Sequence, residues 1–432
     1  MVKSNLSNMH RRTFVHGLVT ASLGISLCRA APGRPRKKVL LRSSWQTKNI
    51  GDIAHTPGVL ALLEQHLPDV IVQLWPVDVG RGVEAMLRRR FPGLIIVKSD
   101  QELRTAFSEC DFLLHGSGPY LVAENDLLRW HRETGKPFGV YGITFSDDEF
   151  SPAARQADPK AAFDRTLAIM EKASFVFFRD SGSLELARAR GCRCPVMAFG
   201  PDGAFGTDLR DDVRAERYLR SEGLEPGRFL CCIPRFRFTP VWTLPGQSGT
   251  FNPSRHARNE AMKEHDMGAL RKTLIDVLRE TDLKVLICPE DETQMAIGRD
   301  MLFDRLPASL QPRVSLRREY WLTDEALSTY VQSAGLFGCE QHSPIMCIGN
   351  GVPAIVGRWR EQTSKGLMWR DIGLAEWLID FDREEDLQRL PRVVLDLARN
   401  PSRARSIVAT AQAEVHKHQV RTFEALRSAL DV

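Results

Sequence analysis

Short apolar runs without polar alternation recur along the chain, each followed by a stretch whose apolar positions fall at helical spacing. Strands buried on both faces read this way, and they belong in parallel sheets crossed by helices. In the first half the runs predict strands at Lys38 to Trp45, Val70 to Trp75, Leu94 to Val97, Asp111 to His115, Pro137 to Ile143, Phe175 to Phe178 and Val196 to Phe199. Thr56-Pro57 reads as a cap followed by proline in the first turn of the first helix, which turns Val59, Leu60, Leu62, Leu63 and Leu67 to the core. The charged segment Asp208 to Arg220 interrupts the alternation, which restarts with strands at Phe229 to Pro234, Lys284 to Cys288, Arg313 to Leu316, Gly335 to Gly338 and Pro353 to Val356. Helices are expected at Met267 to Thr281, Leu374 to Leu378 and Asp386 to Asn400, with a long polar one at Ser402 to Leu430. Between the first strand and first helix of this half lies an insertion, Phe236 to His265, rich in Pro, Gly, aromatics and Arg; a loop of that length is usually functional.

The fold class that follows is α/β, with two Rossmann-like doubly wound domains facing each other across a cleft. The expected division is 1–30 as a leader, 31–205 as the first domain, 206–227 as the connection, 228–400 as the second domain and 401–432 as a terminal helix. A chain of 432 residues with 43% hydrophobic and 26% charged residues has material for two proper cores. The net charge of +5 is misleading, because residues 1–30 hold Lys3, Arg11, Arg12 and Arg29 and no acid, which leaves +1 for the rest. The folded part lacks the basic footprint of a nucleic-acid binder.

That leader has a pattern of its own. Arg11-Arg12-Thr13-Phe14 precedes a modestly apolar run, Val15 to Leu27, too short and too polar for a membrane span. Paired arginines before such a run predict a twin-arginine export signal, cleaved near Ala30 or Ala31, with the Tat export machinery as partner and a periplasmic destination. The alternative is a basic tail on a cytoplasmic protein. Proteins on the twin-arginine route cross already folded, so the nine cysteines are expected to be mostly structural thiols; Cys110, Cys231, Cys232 and Cys288 lie in or beside apolar runs, and the spacing of Cys192 and Cys194 is not a usual metal pattern.

In doubly wound sheets ligands bind beyond the carboxyl ends of the strands, so chemistry is sought there. After the first strand comes Gly51-Asp52, where Asp52 is either an acid, base or sugar ligand, or a turn cap; His55 beside it reads as a loop residue. After the fourth comes Gly116-Ser117-Gly118, a small-residue turn that lets a ligand approach main-chain N–H groups. Arg179 ends the sixth strand and suits a carboxylate or phosphate, while Asp180 or Ser181 reads as the next helix cap. Asp202 follows the seventh, a further carboxylate expected to face the cleft. In the second half Arg235 and Arg237 follow the first strand, Glu290-Asp291 the second, and His342 opens a helix after Cys339-Glu340; a histidine there can move a proton near neutral pH. Lys365, within the stretch Arg358 to Trp369, suits an anionic or sugar ligand.

The order of these motifs resembles the polysaccharide pyruvyl transferase family over roughly residues 40–380. Gly51-Asp52-Ile53 matches its GDE-like turn, Gly116-Ser117-Gly118 its glycine-rich turn, Arg179-Asp180 with Ser183 its RD-x-x-S segment, and Pro201-Asp202 its next strand end; His342 and Gly351-Val352-Pro353 match its C-terminal histidine and G-x-P strand start. Two positions depart from the pattern. Glu340 stands where the family usually has Arg, and Trp359 with Lys365 replaces Tyr-x-x-Lys. The resemblance implies pyruvate transfer from phosphoenolpyruvate to two hydroxyls of a sugar in a cell-envelope polysaccharide, giving a cyclic ketal without metal or redox cofactor. It implies Arg179, Arg235 and Arg237 as the anion cradle, His342 as proton donor and Asp52 as acceptor-side base or ligand. Phosphoenolpyruvate is cytoplasmic whereas the leader points outward. Two rivals therefore stand beside this reading: a GT-B-like glycosyltransferase on the same two-domain plan, and a non-catalytic envelope glycan-binding protein.

Overall fold

In the computed structural model, which describes residues 36–244 and 251–431, the apolar runs of the first half form one seven-stranded parallel sheet. Its strands are β1 (Lys38–Ser43), β2 (Ile71–Pro76), β3 (Ile95–Ile96), β4 (Phe112–His115), β5 (Phe138–Ile143), β6 (Val176–Phe178) and β7 (Met197–Phe199), in the order β3-β2-β1-β4-β5-β6-β7. A second parallel sheet of six follows: β8 (Phe229–Ile233), β9 (Lys284–Ile287), β10 (Val314–Leu316), β11 (Gly335–Gly338), β12 (Ala354–Arg358) and β13 (Leu378–Asp380), in the order β10-β9-β8-β11-β12-β13. Strands β4, β5, β6 and β8 are buried along their whole length, as their unalternated apolar sequences require. Each sheet reverses direction of travel once, between β1 and β4 and between β8 and β11, and crevices open at such reversals. The expected pair of doubly wound Rossmann-like domains is therefore the architecture. The leader with its paired arginines, and positions 245–250 of the insertion, lie outside the described residues.

The first helix departs from expectation in a way that matters for the site. It runs Ile50–His66, with Asn49 as its cap: the Asn49 side chain accepts from Gly51 N at 2.7 Å and Asp52 N at 3.0 Å. Thr56 does not cap it, because its hydroxyl accepts from Ser44 N at 2.8 Å and ties down the end of β1. Pro57 lies inside the helix, where it removes an internal hydrogen bond. Beside it the Thr207 hydroxyl donates to the Ala54 carbonyl at 2.7 Å. Asp52 and His55 thus stand three apart on one helical face.

This helix joins the halves. Ile50 and Ala54 belong to the second half's apolar core, Ile50 N donates to the Glu290 carbonyl at 2.9 Å, and Thr323 Oγ1 donates to the Ile50 carbonyl at 2.8 Å. The terminal helix Pro401–Ala429 makes a second join, with Val408, Ala411 and Val415 in the second half's core and Phe423 and Leu426 in the first half's. Burying Phe423 alone favours this strap by roughly 1.5–3 kcal/mol. Elsewhere the insertion is shorter than read, since Asn252 and Pro253 cap and start a helix, Pro253–Glu280, well before Met267. The segment expected to be helical at Leu374 to Leu378 is a single turn leading into β13, too brief to show periodicity. All eight cysteines among the described residues are buried free thiols, and no described helix is long and apolar enough to cross a membrane.

Candidate active site

Four titratable side chains meet where the two reversals face one another. His55 is fully buried, and its Nδ1 lies 2.7 Å from Ser117 Oγ and 2.9 Å from Asp202 Oδ1. That anchoring turns its Nε2, which has no hydrogen-bond partner, toward Asp52 Oδ1 at 3.9 Å. From the second half, His342 brings Nδ1 to 3.9 Å from the same Asp52 oxygen and 3.4 Å from Glu290 Oε1, and its ring meets that of His55 edge-on at 4.7 Å. Glu290 is wholly buried; Ser343 N donates to its Oε2 at 2.7 Å, whereas Oε1 is unpartnered. Gly51 permits this approach, because a Cβ there would lie 2.3 Å from His342 Cβ and 2.5 Å from Glu290 Oε1.

Burial sets the protonation of the cluster. It pushes both imidazoles below the ordinary histidine value, so His55 and His342 rest neutral at pH 7 despite the nearby carboxylates. It raises the Glu290 carboxyl against the bonds from Ser343, bringing its proton affinity toward that of the imidazole beside it. Burial also opposes ionisation of Asp52, but its carboxyl is held below the ordinary carboxylate value by whatever charge His342 and His55 take up, by the Lys365 ammonium and by the bond from Gln46. Burial thus disfavours the imidazolium of His342, the expected proton donor, while the Glu290 carboxyl 3.4 Å away is raised to about 7; no role is assigned to Glu290 from the sequence.

Three cations border the cluster. Arg179 is 1% exposed; its Nε donates to Thr144 Oγ1 at 2.7 Å and its Nη1 to Asp202 at 2.6 Å, while Nη2 is unpartnered. Arg235 gives Nη1 to Glu340 at 3.0 Å and leaves Nε unpartnered. Lys365 makes no ion pair among the described residues, and burial together with Arg179 and Arg235 pulls its ammonium down to about 8. Arg235 and Lys365 line the inner end of a cavity of about 310 Å³ between the halves, continuing outward past Thr144 and Tyr120. Glu340, the acid standing at the expected arginine position, is buried against Arg235 and Gln294, and burial keeps its carboxyl pKa high. Burial thus limits the negative charge that Glu340 sets against an anion, and Arg235 stands beside what remains.

Five expected ligand contacts are corrected. Gly116 N donates to the Arg42 carbonyl at 2.9 Å and Gly118 N to that of Gly142 at 3.2 Å, so both glycine amides are spent within the sheet. Ser117 faces His55 and orients it. Asp202 does not face the cleft: it is fully buried, and Arg179, His55 and Ala204 N occupy its oxygens. Arg237 is saturated by Asp266, Glu361 and Asp382, at 2.8, 3.2 and 2.6 Å. Asp52, His342, Arg179, Arg235 and Lys365 remain together. Asp52, His55 and His342 could also present one ligand atom each to a metal ion, all within 4.8 Å. The three adjoining cations make the surroundings better suited to an anion than to a divalent cation.

Comparison with known proteins bears on this geometry. The profile of the polysaccharide pyruvyl transferase family matches residues 49–358. No curated protein matches in sequence. Among solved structures, S. aureus MnaA with UDP is similar at TM-score 0.56 and 10% identity over 91% of this chain and 97% of that one. Anabaena HepE with UDP and glucose gives 0.55 and 10% over 91% and 100%, and the Neisseria meningitidis UDP-GlcNAc 2-epimerase with UDP-GlcNAc gives 0.53 and 10% over 90% and 100%. At such identities the likeness establishes the two-domain GT-B-like fold alone.

Proposed function

The chain belongs to the polysaccharide pyruvyl transferase family, and from that premise we propose that it transfers a pyruvyl group from phosphoenolpyruvate to two hydroxyls of an envelope glycan. The observation that carries this reading is the set of three incompletely satisfied cations, Arg179, Arg235 and Lys365, beside the Asp52–His342–Glu290 cluster. A carboxylate and a phosphate on one small molecule need such a cradle. The enol carbon needs a proton, which the Glu290–His342 pair holds. As the methylene takes it, the first sugar hydroxyl attacks C2 and loses its proton to Asp52. The C2–O bond to phosphate then breaks with its electron pair, the second hydroxyl closes the ketal, and its proton leaves with the phosphate or returns to the pair. Proton transfer of this kind is worth roughly 10²–10⁴ in rate. Phosphate release from phosphoenolpyruvate with a glycan acceptor should therefore fall by about that factor in His342→Ala; unchanged turnover would remove the residue from the mechanism.

The paired arginines at Arg11 and Arg12 are part of the same proposal, as an export signal for a protein that folds before crossing. Use of the signal would part the enzyme from the cytoplasmic donor pool. Fractionation with mass determination of the mature N-terminus tests this: a chain beginning near Ala31 in the periplasm supports export, and an intact Met1 in the cytoplasm refutes it.

A further inference from the structure

We propose that the outer part of the cavity is an acceptor subsite for an anionic glycan, in which Arg155 and Arg255 hold a carboxylate or phosphate of the acceptor while Tyr120, Phe150 and Phe238 carry its sugar rings. The proposal rests on the pyruvyl-transfer reading only in calling this ligand the acceptor. The cavity that begins at Arg235 and Lys365 runs outward to these five residues, so a chain lying in it would lead from the reacting end to the mouth. Phe150 and Phe238 lie 6.3 Å apart, and Tyr120 is 39% exposed. Aromatic faces of this kind accept the apolar faces of sugars while leaving their hydroxyls wet.

The charge around this mouth is uneven. Arg258 is answered by Glu361 at 2.7 Å and Arg360 by Glu149 at 2.9 Å. Arg155 and Arg255 have no ion-pair partner among the described residues. Arg155 donates only to the Phe150 carbonyl, at 2.8 Å, and the Arg255 guanidinium lies 5.2 Å over the Phe238 ring. Burial and the neighbouring Arg255 lower the proton affinity of Arg155, and they outweigh the opposing effect of Asp148, which makes no ion pair with it. A second, independent feature points the same way. The helix Pro253–Glu280 begins here, and its first turn carries Arg255 and no acid. Positive charge at a helix N-terminus opposes the helix dipole, so this end carries more unneutralised positive charge than folding favours. A bound anion would relieve both conflicts.

Calorimetry on the full chain tests the proposal with three probes: a galacturonate tetramer for the carboxylate source, UDP-N-acetylglucosamine for the phosphate source, and a neutral galactose tetramer as reference. One or both anionic probes should bind at least about tenfold more tightly than the neutral one, and whichever does so names the source. Arg155→Gln with Arg255→Gln should abolish that preference, leaving phosphoenolpyruvate affinity and the melting temperature unchanged. Equal binding of all three probes, or a preference that survives the double substitution, overturns the proposal. Should phosphoenolpyruvate fail to bind while the anionic preference holds and depends on both arginines, the pyruvyl-transfer reading falls and the anion subsite stands.

Discussion

Two clusters of cations lie behind strand ends at the same cleft, and they are opposite in character. Around Arg237 three carboxylates from Asp266, Glu361 and Asp382 converge on one guanidinium. Arg179, Arg235 and Lys365 make only two ion pairs among the described residues, to Asp202 and Glu340, and two guanidinium nitrogens are left without partners. A cation at a strand end is therefore not in itself a ligand site. The discriminating property is hydrogen-bonding capacity left over after the protein's own acids are served.

The sharpest way to break this contrast is Arg237→Met. It strands three carboxylates around a buried position, and losing one partner of such a network costs about 3–5 kcal/mol. Chemical denaturation should register that loss, while phosphoenolpyruvate affinity of the folded fraction stays within about twofold. If affinity collapsed instead, the closed cluster would be part of the donor site after all. Lys365→Met is the converse test. Lys365 has no ion-pair partner among the described residues to strand, so stability should hardly change. Loss of one charge-assisted contact should weaken phosphoenolpyruvate binding about 10- to 100-fold, read by calorimetry.

The contrast also explains what the sequence could and could not disclose. Strand ends are legible because they follow from short apolar runs, and Asp180 reads correctly as a cap because its bond to Ser183 N is local. Arg179 and Arg237 look alike in sequence, since each is an arginine shortly after a buried strand. What separates them arrives from afar: Asp266, Glu361 and Asp382 lie 29, 124 and 145 positions from Arg237. His55 was missed for a related reason. A helix starting at Thr56 leaves His55 in a loop, whereas the Asn49 cap sets Asp52 and His55 on one helical face. Glu290 had no local signal beyond its position at a strand end. The proton affinity that makes it useful comes from burial beneath the other half of the molecule.

Titration sharpens the comparison further. The open cluster should lose its anion as pH rises, because the ammonium of Lys365 is pulled down to about 8 by burial and by Arg179 and Arg235. The sign follows from the charged form being the binder: below that value Lys365 carries its proton, and above it the cation is lost. Phosphoenolpyruvate affinity should drop roughly tenfold between pH 7 and 9 beyond any change in the ligand itself. Lys365→Arg should retain affinity at pH 9, since a guanidinium stays charged. A pH profile identical in the two proteins would show that Lys365 is not the titrating group.

The smallest expected effect concerns what holds Lys365 in place. Thr363, two residues earlier, adopts φ 60° and ψ −144°, a region a β-branched residue avoids, and its hydroxyl is buried without a partner. Arg358 fixes this conformation by donating to the Thr363 carbonyl at 3.0 Å. Such a backbone stores roughly 1–3 kcal/mol. Thr363→Gly relieves it but adds about 0.5–1 kcal/mol of chain entropy to be lost on folding, so a net gain near 1 kcal/mol is expected. The same change frees the segment that carries Lys365, and phosphoenolpyruvate affinity should fall a few-fold as stability rises. Opposite movement of melting temperature and affinity would mean that the open cluster is held ready at the expense of local strain. Parallel movement would mean that the strain belongs to the loop alone.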